Sequence, residues 1–361
     1  MKIRSLSLTD WRSYRSAEVS FGDGLTAVVG DNGQGKTNLI ESIAWISGTG
    51  SFRGASDDAL IRLGADAAVI RSTIEADDGR EELVEVEIPR VGRNRILINR
   101  QRATRSSELL GVVQVTVFSP DDLELVKGGP SLRRGWIDAA LAAHHPRNAA
   151  LRGEVERVLK QRNALLRSVH GRLDADAEFT LDVWDSKLAD AGERLRTARR
   201  AMLNEMTPIL ATAYDAVAQQ VAMVECHYES SWSGPLANAL LTSRELDIRR
   251  GITTVGPHRD EIHVTIAGAP ARTHASQGEQ RSLALALRLA ADGVVRTVGV
   301  AEPVLLLDDV FSELDPNRAA ALLDALPKGQ RILTTAADLP SAARPDQVIR
   351  VHNSALTLES P

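Results

Sequence analysis

A chain of 361 residues with 43% hydrophobic and 25% charged side chains has the composition of a globular protein of about two domains, unlike disordered or collagen-like chains. Its 43 Lys and Arg against 48 Asp and Glu leave a net charge of −5, so overall charge does not mark a nucleic-acid binder. No apolar run approaches the roughly 18 residues of a membrane span, and the single cysteine, Cys226, excludes an intrachain disulfide and a multi-thiolate zinc cluster.

The start, MKIRSLSLTDWRSYR, alternates apolar and polar residues without the apolar stretch of a secretory signal, so a cytoplasmic protein is expected. Strand signals fill the first third: Ile3 to Leu8, Leu25 to Val29, Leu83 to Ile88 and Ile96 to Ile98. One helix interrupts them, beginning just after Gly35 and carrying Leu39, Ile40, Ile43 and Ile46 at helical spacing.

From about Leu132 to Ile209 the period becomes helical. Leu181, Trp184, Leu188, Ala191, Leu195, Ala198 and Met202 recur three and four residues apart as a narrow apolar seam. Leu151, Val155, Val158, Leu165 and Val169 form a similar seam that Arg162 interrupts, and His170 to Phe179 reads as the turn between them. An antiparallel, coiled-coil-like hairpin with arms of about 37 Å and two helices of a small bundle fit this pattern equally well. After about Arg250 strands return at Ile262 to Ile266, Val304 to Leu307, Ile332-Leu333, Val348-Ile349 and Leu356 to Leu358, with a helix from Gln280 to about Ala291. The expected organisation is an α/β fold split by a helical insertion: residues 1–120, 121–250 and 251–361.

Gly30-Asp31-Asn32-Gly33-Gln34-Gly35-Lys36-Thr37 matches G-x-x-x-x-G-K-[ST] and lies between a strand and a helix, the context that gives this motif meaning. Its glycines allow backbone N–H groups to curl around phosphate oxygens, and the helix N-terminus adds positive potential. Lys36 is then the β/γ-phosphate contact and Thr37 a magnesium ligand, with Asn38 closing the segment. The run Val304 to Asp309 is a buried strand ending in two carboxylates. Asp308 is expected on the magnesium side, and Asp309 is placed to orient or deprotonate the attacking water. ATP and Mg2+ are the cofactors this pairing calls for.

Ser276-Gln277-Gly278-Glu279-Gln280-Arg281 at a helix start resembles the signature of ABC-type ATPases, usually L-S-G-G-Q-Q-R, and Ser312-Glu313-Leu314-Asp315 resembles their D-loop. Read alone, the first segment is a helix N-cap with Glu279 at the capping-box position. Finer features resemble the RecF recombination mediators of bacterial DNA repair over nearly the whole chain. These are Leu6 to Tyr14 (their L-x-L-x-x-F-R-N-Y), Lys127 to Arg134 with Asp138, Leu159 to Leu166, and Gly256-Pro257-His258-Arg259-Asp260. Trp11 and Ser13 depart from the opening pattern, Gln277 and Glu279 from the ABC signature, and Asp309 stands where ABC enzymes carry a catalytic glutamate.

The resemblance implies an ABC-type ATPase head divided between 1–120 and 251–361, with an inserted arm at 121–250. It implies that Ser276 and Gly278 close over ATP bound by a second copy, and that hydrolysis is weak and DNA-stimulated. It further implies an ATP-induced homodimer that clamps double-stranded DNA near gaps or single-strand/duplex junctions, working with RecR and with RecO in recombinase loading. Gln114 and Thr335 are the candidates for its Q-loop and switch positions. Two basic islands are the candidate DNA contacts: five arginines and no acid from Val91 to Ser107, and nine basic residues against three acids from Ser131 to Arg172. Arg93, Arg95, Arg100, Arg102, Arg133 and Arg134 stand for them. On charge alone, solvated faces explain the islands as well as DNA does. His258 and Arg259 invite a catalytic reading, but a loop pair contacting a neighbouring strand or the ATP dimer interface fits them at least as well, so they are not counted as catalytic; Arg53 and Arg62 read equally as phosphate or DNA contacts and as solvated arginines. An ABC ATPase serving a membrane transporter is the competing function, although about 240 residues between Thr37 and Ser276 hold a helical hairpin too long for that class.

Overall fold

The computed structural model describes residues 1–169, 171–297, 302–336 and 338–359. Alternating side chains in the opening segment create β1 (Lys2–Trp11) and β2 (Tyr14–Ser20), followed by β3 (Leu25–Val29), α1 (Lys36–Ala44) and α2 (Asp57–Leu60). β4 (Ala67–Glu75), β5 (Glu81–Pro89), β6 (Arg95–Ile98), β7 (Gln101–Arg102) and β8 (Val115–Phe118) complete the N-terminal part. An antiparallel sheet forms in the order β2-β1-β4-β5-β6-β7. Its inward residues, among them Ile3, Leu6, Leu8, Ile70, Ile74, Val84 and Val86, are buried against Leu39, Ile40 and Ile43 of α1.

The middle of the chain carries α3 (Glu124–Lys127), α4 (Pro130–His144), α5 (Ala149–Ser168), α6 (Ala175–Ala218), β9 (Val224–Glu229), α7 (Leu236–Arg250), β10 (Glu261–Ile266), β11 (Ala269–Pro270) and α8 (Ala271–His274). The expected hairpin is present. Arg162 on α5 pairs with Asp185 on α6, and Glu154 with Arg194, so the two helices run antiparallel. α6 has 44 residues and continues through Pro208, well beyond an arm of about 25. α7 lies on the same seam, where Asp247 reaches Arg162 and Leu236 packs so close to Gly192 that a Cβ there would sit 2.4 Å from it. His170, placed in the expected turn, lies outside the described residues.

The last part contains α9 (Gln277–Thr297), β12 (Val304–Asp308), α10 (Pro316–Ala325), β13 (Arg331–Thr335), β14 (Gln347–His352) and β15 (Ala355–Glu359). A second sheet has the order β15-β14-β3-β13-β12-β8, parallel except for β15. Its central strands are apolar on both faces, as a doubly covered parallel sheet requires. Val28, Leu306 and Ile332 join the α1 core, while Ala27, Leu305, Leu307 and Leu333 pack against Leu285, Leu289 and Leu322 of α9 and α10.

Two units result: 1–123 with 213–221 and 282–361, and 124–212 with 222–281. The expected boundary at 250/251 is therefore corrected to 281/282. Strand β10 pairs with β9 along its whole length, which holds 251–281 in the helical unit. Conversely, Val217 is buried in the core of the first unit with Leu305 and Leu322 and takes the end of α6 with it. Among the described residues no helix is long and apolar enough to cross a membrane. Cys226 is buried, and burial pushes its thiol up to about 12, so it is no ready nucleophile.

A candidate nucleotide site

β3 ends at Val29 and α1 begins at Lys36, and the loop between them turns on glycine conformations. Gly33 and Gly35 have φ of +79° and +116°, and a Cβ on Gly30 would lie 2.3 Å from the Val351 carbonyl oxygen. Lys36 Nζ donates to the carbonyls of Gly30 and Asp31 at 2.7 and 2.8 Å, which folds its ammonium back over the loop. Burial pulls the Lys36 pKa down, while Asp309, Asp308 and Asp31 pull it back up.

The opening motif buttresses this helix start. Trp11 Nε1 donates to the Asn38 carbonyl at 2.8 Å, Asn38 Nδ2 to Ser13 Oγ at 3.0 Å, and Tyr14 Oη to the Gly35 carbonyl at 3.0 Å. Arg12 makes a two-pronged pair with the fully buried Glu41 on α1 at 2.8 and 2.7 Å.

Parallel pairing brings the carboxylates to the same end of the sheet. Asp308 is in register with Thr334, and both Thr37 Oγ1 (3.0 Å) and Thr334 Oγ1 (2.7 Å) donate to Asp308 Oδ1. Burial raises the Asp308 pKa, the two hydroxyls lower it, and neighbouring Asp309 raises it again. Asp309 itself sits in the left-handed region at φ +51°, its N–H donating to Thr334 Oγ1 at 3.0 Å. Among the described residues its Oδ1 is a buried acceptor with no hydrogen-bond partner.

These groups fit a magnesium nucleotide. A hydroxyl and a carboxylate are hard oxygen ligands of the kind Mg2+ takes alongside phosphate, the cradle at Gly30 admits no side chain, and Asp309 Oδ1 keeps an unused capacity to accept a hydrogen bond.

The other sequence candidates separate. Ser276 is exposed, and with Glu279 it forms the capping box at the start of α9: Ser276 N donates to Glu279 Oε2 at 2.7 Å, Glu279 N to Ser276 Oγ at 3.3 Å. Ser276 and Gly278 belong to the helical unit, Lys36, Asp308 and Asp309 to the other. In the D-loop segment Ser312 Oγ donates to the Asp309 carbonyl and Asp315 caps α10; the Glu313 side chain lies outside the described residues.

Gln114 is corrected. It precedes β8, whose Val115 pairs with Val304 at the start of β12, whereas Asp308 ends β12. Four residues of strand, about 13 Å, put it at the wrong end of the sheet. The second hydroxyl on Asp308, beside that of Thr37, comes from Thr334, which the sequence did not single out. Strand pairing alone revealed it, so a single sequence held no signal for it.

Arg133 is corrected as well. It is buried and donates to the carbonyls of Leu125 (3.2 Å) and Gly128 (2.8 Å) and to Glu261 Oε1 (3.0 Å), so it cannot reach a DNA phosphate. Half-buried Arg134 is committed to the Asp260 carbonyl at 2.6 Å. Arg162, in the same island, is fully buried between Asp185 and Asp247. By contrast Arg93, Arg95, Arg100 and Arg102 are exposed, Arg95 beside Glu87 at 3.2 Å. Arg62 is held by Asp10 at 2.6 Å, while Arg53 is exposed and near enough to Asp308 to lower its pKa. His258 is structural: its Nε2 meets the Thr253 carbonyl at 3.1 Å and burial drives its pKa down to about 4.

A family model described as RecF/RecN/SMC N terminal domain matches residues 2–356. "DNA replication and repair protein RecF" of Streptomyces avermitilis is 42% identical over 93% of this chain and 94% of its own, and the protein of that name from Frankia alni is 43% identical over 94% and 95%. The solved structure "recombination mediator protein RecF-ATP in RecFOR pathway" superposes with a TM-score of 0.92 at 28% identity over 99% of this chain and 97% of that one. The Smc head domain of Pyrococcus furiosus, at a TM-score of 0.58 and 17% identity over 99% and 96% of the two chains, shares the fold. The ABC-type head, the split phosphate site and these relatives agree that the chain belongs to the RecF family.

Proposed function

We propose that the chain binds ATP with Mg2+ at Gly30–Asn38 and uses it to gate a homodimeric clamp on duplex DNA in recombinational repair. The observation that carries this reading is the convergence of Thr37, Thr334 and Asp308 beside the Lys36 loop. The relatives' names supply its setting: DNA replication and repair, and a RecF bound to ATP in the RecFOR pathway.

Lys36 neutralises phosphate charge as it exchanges the Gly30 and Asp31 carbonyls for phosphate oxygens. Thr37 and Asp308 hold the metal, which supplies Lewis-acid screening of the phosphates when bound. Asp309, with a free carboxylate oxygen, orients the attacking water and accepts its hydrogen bond. A carboxylate one methylene shorter than glutamate suits slow turnover, which resets the clamp. Ser276, exposed at the start of a 21-residue helix, is the group offered to the nucleotide of a second copy. Arg93, Arg95, Arg100 and Arg102 neutralise DNA phosphates, and RecR, with RecO, receives the clamp at gaps or junctions.

The test is binding of short duplex DNA by the intact chain with ATP, without it, and with Lys36→Arg. Binding that needs ATP, weakens with salt and vanishes in the variant is expected, together with hydrolysis that DNA stimulates. Binding indifferent to ATP and to Lys36 overturns the proposal.

A further inference from the structure

Strands β14 and β15 are joined by a two-residue turn, Asn353-Ser354, with φ of +49° and +58°. Two consecutive left-handed residues suit the twist of a tight hairpin, and glycine would adopt them without steric cost. The turn instead keeps Asn and Ser and places both of its N–H groups on the phosphate loop. Asn353 N donates to Gln34 Oε1 at 2.5 Å and Ser354 N to the Gln34 carbonyl at 3.1 Å. Just before the turn, the Val351 carbonyl presses on Gly30 where no Cβ fits. The hairpin therefore touches the loop at its first glycine and at its tip. Between these points Asp31, Asn32 and Gly33 are exposed, and the loop's own Gln34 N to Asp31 O bond is long at 3.4 Å.

We infer that the Asn353-Ser354 turn is a latch on Gln34 that presets the phosphate loop, making nucleotide affinity depend on a positioning segment some 320 residues away in sequence. This rests on the nucleotide reading above. A glycine-rich loop ordered beforehand loses less conformational freedom when a ligand arrives, and that saving appears as affinity. The coupling is reciprocal, so nucleotide in turn protects the amides of the turn.

The test compares three changes in the full chain. One glycine inserted between Asn353 and Ser354 converts the turn to a three-residue hairpin loop and lifts its donors off Gln34. Gln34→Ala removes the side-chain acceptor. Ser354→Gly keeps both N–H groups, gives up only the long contact of Ser354 Oγ to the Gln34 carbonyl at 3.5 Å, and serves as the conservative control. Hydrogen exchange of the loop amides without nucleotide, and titration with ATP and ADP, are the readouts. Faster exchange at Gly33–Gly35 and affinity weakened about 3- to 10-fold, the worth of one hydrogen bond, are expected for the first two changes and not for Ser354→Gly. Parental exchange and affinity in the insertion variant, with β14 and β15 amides still protected, overturn the latch. If the insertion unfolds the hairpin, Gln34→Ala decides by the same two readouts. A parent chain that binds no ATP sinks the nucleotide reading, and the exchange comparison then decides the latch alone.

Discussion

Asp308 illustrates how a single position can cost stability for the sake of a site. Its pKa is raised by burial, so ionising it opposes folding: the folded chain holds the proton more tightly than the unfolded one. Stability is accordingly lost as pH rises from about 3.8 through the raised value, and the loss persists at pH 7. Asp308→Asn keeps an acceptor for Thr37 and Thr334 and removes the charge. It should raise the nucleotide-free Tm at pH 7 by about 2 °C, with the gain closing at acid pH, while Mg-dependent nucleotide binding is lost. A thermal melt at pH 7 and pH 4 decides this. Thr334→Val removes a donor that holds Asp308 ionised. About a tenfold fall in kcat/KM and an acid limb of the pH profile moved to higher pH are expected.

At the scale of elements, the helical unit is stitched by buried charges on α4, α5, α6 and α7. Arg199 on α6 pairs with Asp138 on α4 at 2.7 and 2.8 Å and donates to the Pro257 carbonyl, while Asp260 accepts from Ser231 N and Tyr228 Oη. The Gly256 to Asp260 segment is thus the knot that ties β9 and β10 to these helices. Arg133→Ala should therefore destabilise by about 2–3 kcal/mol in urea unfolding, because it strips the half-buried Glu261 carboxylate and two carbonyls of their donor. Arg102→Ala, exposed on β7, should leave stability nearly unchanged and weaken DNA binding instead. His258 adds a pH signature. Its pKa lies below the unfolded value, so the folded state resists protonation, and stability falls as pH drops from about 6.5 towards 4. A loss on the order of 3 kcal/mol across that window, flattened in His258→Gln, is the expected result of unfolding measured at several pH values.

For the whole molecule, an acidic chain that binds DNA must do so through local basic surface. Salt dependence measures that surface: each phosphate contact adds about 0.9 to the slope of log affinity against log salt. Removing one of Arg93, Arg95, Arg100 or Arg102 should reduce the slope by about 1 if that residue meets a phosphate. Dimerisation is the second whole-molecule property. With Asp309→Asn to slow hydrolysis, sedimentation should show a dimer under saturating ATP and a monomer without it; a monomer in both conditions counts against the clamp.

Legible in the sequence were the features that depend on neighbours along the chain. The phosphate loop needs strand, glycines and helix in succession, the central strands need apolar runs, and the capping box needs Ser276 and Glu279 three residues apart. Each is local physics, so the α/β head, the helical hairpin and Gly30–Thr37 could be read directly. What tertiary structure decided were meetings between distant segments. Register across β12 and β13 put Thr334 on Asp308, parallel pairing sent Gln114 to the far end of the sheet, and the β14–β15 turn reached Gln34. Burial by other elements turned Arg133 and Arg162 from apparent surface charge into internal ties. A charge count cannot separate a solvated arginine from one that replaces its water with carboxylates and carbonyls, because that exchange depends on partners as far as 128 residues away.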